Sequence, residues 1–98
     1  MELDIDLAFF LGDDLLTQGS VCCGASETVT KLNGISGHRF EIISQFEEPA
    51  CPVEILCYRD DKRLYKAALR VGVHTSDDWE SIDLAGVHTL GFCSHERV

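Results

Sequence analysis

Residues 53–73, VEILCYRDDKRLYKAALRVGV, form the longest apolar-patterned stretch of the chain and hold five of its eight Lys and Arg residues: Arg59, Lys62, Arg63, Lys66 and Arg70. Tyr65, Ala67, Leu69, Val71 and Val73 alternate with Leu64, Lys66, Ala68 and Arg70. That is the two-residue period of a half-buried strand. With 53–59 rising and 60–63 turning, the stretch reads as a β-hairpin. A helix over 62–71 competes with it. Asp61 would cap that helix, Gly72 would stop it, and Lys62, Lys66 and Arg70 would form a basic stripe. Register favours the hairpin. Tyr58 opposite Tyr65 sets Leu56 opposite Ala67 and Cys57 opposite Lys66, so one apolar face runs through Leu56, Tyr58, Tyr65, Ala67 and Leu69.

The flanking chain carries the same period. In 2–11, Leu3, Ile5, Leu7, Phe9 and Leu11 fall on one side and Glu2, Asp4 and Asp6 on the other, an opening strand with an acidic outer face. Gly12-Asp13-Asp14 reads as a turn. The glycine-punctuated stretch 15–26 reads as a loop or a short edge strand. A second hairpin follows, with strands at 26–32 and 38–46 around Asn33-Gly34, and with Phe40, Ile42, Ser44 and Phe46 on one face. Both prolines sit in the connector 47–52. Ser76 can cap a short helix over 76–84, with Asp77 and Asp78 at its positive end. A last strand spans 84–93. The expected fold is α+β, mainly antiparallel β, a small single domain of about six strands, two hairpins among them, with one short helix.

Charge narrows the function. The 98 residues carry a net charge of −9. Direct binding to nucleic-acid phosphates is not expected of so acidic a chain. Residues 1–30 contain Glu2, Asp4, Asp6, Asp13, Asp14 and Glu27, and 71–95 contain Asp77, Asp78, Glu80 and Asp83, with no Lys or Arg in either segment. If the two segments meet in space they make a strongly negative surface. A solvated face that keeps the protein soluble is the plain account of it; a docking face for a basic partner is the sharper one. The only tryptophan, Trp79, lies among these carboxylates. It can plug a core edge or anchor a binding surface.

Chemistry is poorly signposted. The run from Gly19 to Ser26 has the outer spacing of a P-loop, but Ala25 stands where the phosphate-binding lysine belongs. Cys22, Cys23, Cys51, Cys57, Cys93 and the four histidines show no paired knuckle spacing, so no metal and no cofactor is expected. Cys93 with His88 or His95 is the one tempting nucleophile–base group, and the paired carboxylates read as turn and cap residues. No export signal or membrane span is apparent. Five cysteines without such a signal point to reduced thiols and a cytoplasmic location.

The expectation is therefore a non-enzymatic, acidic binding protein that blocks a basic surface of a partner protein, often a nucleic-acid-binding one. Anti-defence proteins of phages, including anti-CRISPR inhibitors and DNA mimics, are objects of this size and charge, as are immunity proteins that neutralise toxins. The contact face is expected to use Glu2, Asp4, Asp6, Asp13, Asp14, Asp77, Asp78, Trp79, Glu80 and Asp83. An assembly module, dimerising through a strand edge, is a different class, and a small enzyme using Cys93 or a metal is a third.

Overall fold

Alternation in 3–11 works as a strand should. Leu3, Ile5, Leu7 and Phe9 are buried, while Asp4, Asp6 and Ala8 between them are half-buried on the opposite face. The computed structural model describes residues 2–72, 81–84 and 86–96, and in the last two segments side chains at 86–89 only. Eight strands result: β1 (Leu3–Leu11), β2 (Asp14–Cys23), β3 (Thr28–Asn33), β4 (His38–Ser44), β5 (Ala50–Arg59), β6 (Lys62–Gly72), β7 (Ser81–Leu84) and β8 (Val87–Glu96).

They form two four-stranded antiparallel sheets. One, ordered β2-β1-β8-β7, joins the first and last strands of the chain and is called the terminal sheet below. The other is a meander, β3-β4-β5-β6. Because β2 lies against β3, β6 approaches β7, and β1 pairs with β8, the order is that of an up-and-down barrel pressed flat. The core between the sheets is a single cluster. Phe9 of β1 stacks on Phe40 of β4, with ring centroids 4.1 Å apart. A disulfide joins Cys23 at the end of β2 to Cys51 in β5, tying one sheet to the other.

Several expectations need correction. The described residues form eight strands, not about six, and contain no helix. Of the helix expected over 76–84, residues 81–84 are strand β7 and 76–80 lie outside the described residues. Of the loop and the short edge strand open for 15–26, the strand is present, since 15–23 lie in β2 at an end of its sheet. Gly19 in it serves close approach, because a Cβ there would come within 2.8 Å of the Leu32 side chain of β3. The thiols are not all reduced, since Cys23 and Cys51 are bonded to each other.

The central hairpin is present, and the competing helix over 62–71 is not, but the register differs. The turn is the two-residue Asp60-Asp61, Arg59 pairs with Lys62, and a bulge after Cys57 sets Cys57 opposite Tyr65 and Leu56 opposite Lys66. Burial decides this. Cys51, Val53, Ile55 and Cys57 point into the core, and the expected pairing of Cys57 with Lys66 would have driven an ammonium in beside them. The hairpin of β3 and β4 is as expected, with Phe40, Ile42 and Ser44 buried.

The turns at one end are bonded together. Ile35 N–H donates to Leu16 C=O at 3.0 Å, and Asp60 N–H donates to Gly37 C=O at 3.1 Å. Gly37 has φ +75, and a Cβ there would meet Asp60 Oδ1 at 2.7 Å. Gly12 has φ +62 with open space around it. Gly37→Ala is therefore expected to cost about 2 kcal/mol and Gly12→Ala about 1 kcal/mol. Urea titration of both variants checks this, and equal losses would remove the crowding argument.

Candidate docking surface

The terminal sheet brings the two cation-poor segments together. β1 is flanked by β2 and β8, with Asp4 opposite Cys22 and His95, and Asp6 opposite Ser20 and Cys93. The strands of this sheet carry Asp4, Asp6, Asp14, Asp83 and Glu96 and contain no Lys or Arg. Glu2 is exposed just ahead of β1, and Asp13 and Asp14 are exposed at the β1–β2 turn. Of the residues singled out from the sequence, Glu2, Asp4, Asp6, Asp13 and Asp14 thus share one sheet and its turn. Asp83 is on β7 of the same sheet, in register with His88. Asp77, Asp78, Trp79 and Glu80 lie outside the described residues.

Two side chains absent from the expected set belong to this face. Ser20 Oγ donates a hydrogen bond to Asp6 Oδ1. Asp6, Gln18 and Ser20 line an open recess of about 420 Å³ between β1 and β2. It offers a carboxylate, a side-chain amide and a hydroxyl, the acceptors that a guanidinium or ammonium seeks. Leaving 15–26 between loop and short edge strand hid Gln18 and Ser20; alternation of Gln18, Ser20 and Cys22 was the available signal. Farther along β2, Cys22 Sγ lies 3.9 Å from Glu2 Oε2 as a weak donor.

The cations lie in the other sheet. Seven of the eight are there: Lys31 on β3, Arg39 on β4, Arg59 on β5, and Lys62, Arg63, Lys66 and Arg70 on β6. None of the four β6 cations shares a sheet with Asp4 and Asp6. On the outer face of the meander they are mixed with carboxylates. Lys31 pairs across to Glu41, and Lys66 Nζ lies 3.5 Å from Glu54 Oε1. Such exposed pairs contribute little to stability. The Arg39 guanidinium lies 4.8 Å from the Tyr58 ring centroid. A groove of about 360 Å³ on this face has Glu27, Glu47, Glu54 and Arg70 as well as Ile43 and Ala68 among its lining residues.

For chemistry the described residues offer little. Cys57 is buried, and burial pushes its thiol above the ordinary range, so its nucleophilic thiolate is disfavoured. Cys93 lies on β8 opposite Asp6, and its side chain is outside the described set. Among the described residues no three of His, Cys, Asp or Glu gather as a metal site, and no helix is long and apolar enough to cross a membrane. Comparison with protein-family models, with curated proteins and with solved structures returned no match to this chain.

Proposed function

We propose that the protein acts by binding, through the outer face of the terminal sheet, to a positively charged surface of a partner protein, which it covers. The observation that carries this is that strands from both cation-free segments join in one sheet, while seven of the eight Lys and Arg lie on the strands of the other. Glu2, Asp4 and Asp6 recur at steps of about 6.7 Å along one face of the strand. A row of anions at such steps suits a groove that otherwise holds a phosphate backbone, so a nucleic-acid-binding surface is the favoured target. Anti-defence inhibitors and immunity proteins work in this way. The recess beside Asp6 would take a lysine or arginine of the partner. Opposed potentials of this kind raise association rates by about 10- to 1,000-fold.

Affinity capture from native cell extract, at low and high salt, tests the proposal. A basic protein is expected to be retained at low salt and released at high salt. The exposed pair Asp13→Lys and Asp14→Lys should weaken its binding by at least about tenfold at low salt, with the difference vanishing as salt screens it. Undiminished binding by that variant at low salt would count against the acidic face. The reading carries over a cytoplasmic site of action from the sequence. The Cys23–Cys51 bridge weighs against it, because cytosolic thiol pools keep such pairs reduced. Capture from cytosolic and secreted fractions separates the two locations.

A further inference from the structure

We infer that the recess between β1 and β2 is a guanidinium site, one that takes arginine in preference to lysine, and that Ala8 and Gln18 set the preference. That the arginine belongs to a protein covered by the acidic face rests on the docking proposal above; the selectivity of the recess does not.

The recess originates in the alternation of two strands. Asp4, Asp6, Ala8 and Phe10 lie on the outer face of β1, because Leu3, Ile5, Leu7 and Phe9 take the inner one. Ala8 is the smallest of the four outer residues, and it stands between Asp6 and Phe10. On β2, Gly19 falls between Gln18 and Ser20 and adds no side chain. The register sets Asp6 opposite Ser20 and Ala8 opposite Gln18. A small residue on each strand thus leaves an opening of about 420 Å³, with polar groups from Asp6, Gln18 and Ser20 along it.

Acceptors decide what fits. Ser20 Oγ donates to Asp6 Oδ1. A carboxylate accepts at both oxygens, so this bond holds the group in place without exhausting it. Gln18 brings an amide oxygen on the diagonal from Asp6. Diagonal neighbours of an antiparallel pair stand about 7–8 Å apart. A planar guanidinium with a hydrogen bond at either edge spans a gap of that width, and its weakly hydrated face can lie on the Ala8 methyl. An ammonium is a compact, strongly hydrated point charge. It can meet the carboxylate or the amide but does not bridge the two, and in an open recess it keeps its water. No Lys or Arg stands on the strands of this sheet, so no cation on them competes for the recess.

The test is an NMR titration of the isotope-labelled full chain at low salt, with N-acetylarginine amide and N-acetyllysine amide as probes. Each probe carries a single positive charge and no carboxylate. The arginine probe is expected to shift the backbone amides of Asp6, Ala8, Gln18 and Ser20, and the side-chain amide of Gln18, to saturation. Its affinity should be at least about fivefold that of the lysine probe. Ala8→Leu fills the gap and should bring arginine down to the lysine value, while lysine binding changes by less than about twofold. Gln18→Ala removes the second acceptor with the opening kept, and should act in the same direction. Unchanged shifts of core residues show that each variant folds.

Equal affinities for the two probes overturn the inference. So do shifts spread over Asp13, Asp14 and other exposed carboxylates with none centred on the recess. So does an arginine preference that survives both substitutions. These readings need no other protein. Arginine preference with no protein captured from extract keeps the recess and removes the docking proposal. A captured basic protein held as well by Ala8→Leu as by the parent keeps docking and overturns the recess as its contact.

Discussion

Replacing Cys23 and Cys51 together with alanine is expected to lower the unfolding free energy by about 3–4 kcal/mol from the lost cross-link. The bridge closes a loop across a sequence separation of 28 residues, and the chain-entropy relation for a loop of that size gives this value. For a domain of this length the melting temperature should fall on the order of 15–25 °C. A domain of this size commonly has only about 5–15 kcal/mol in hand, so the variant approaches the edge of folding. Both half-cystines are fully buried, and the cavities left by alanine add to the loss. Thermal melts of three samples check the reasoning: oxidised parent, parent reduced with a thiol, and the double-alanine variant. The reduced parent isolates the cross-link from the cavities. A reduced parent that melts with the oxidised one would show that the bridge contributes nothing.

Phe40→Ala is expected to cost about 3–5 kcal/mol. The ring is fully buried and stacks on Phe9, so it is the aromatic contact between the sheets as well as a large share of the core volume. Phe9→Ala should cost a similar amount. The losses should not add, because each removes the same stacked pair. A double-mutant cycle by urea unfolding is expected to return a coupling of about 0.5–1.5 kcal/mol. Strict additivity would mean that the rings contribute only as separate hydrophobic volumes.

Where one face of a strand is buried, the sequence declares it. Leu3, Ile5, Leu7 and Phe9, and again Phe40, Ile42 and Ser44, alternate strictly, and their strands stand where the period put them. Register in the central hairpin was less legible, because a bulge leaves no mark in composition and Asp60-Asp61 can open a longer turn than it does. β2 was masked by the glycines in and after it, of which Gly19 admits Leu32, a neighbour that only the tertiary fold supplies. The Cys23–Cys51 pairing could not be read at all, since five thiols permit many partners and spacing selects none. On the candidate surface, the clustering of acids at two segments was visible, and their union in one sheet was a guess about topology. The gathering of seven Lys and Arg on the meander strands was hidden by the net charge, which sums the whole chain.

The pairing of β1 with β8 has a further consequence. Leu3 lies opposite Glu96, so this ladder joins residues separated by nearly the full chain, whereas every ladder of the meander joins neighbouring strands. Closing so long a span costs more entropy than closing a hairpin. The share of the anionic face that Asp83 of β7 contributes thus joins the β1–β2 hairpin only when the two ends of the terminal sheet meet, while the β1–β2 hairpin and the four meander strands each have ladders between neighbouring strands. A partner that spans the complete face would then bind more weakly to a copy in which β1 and β8 have not paired.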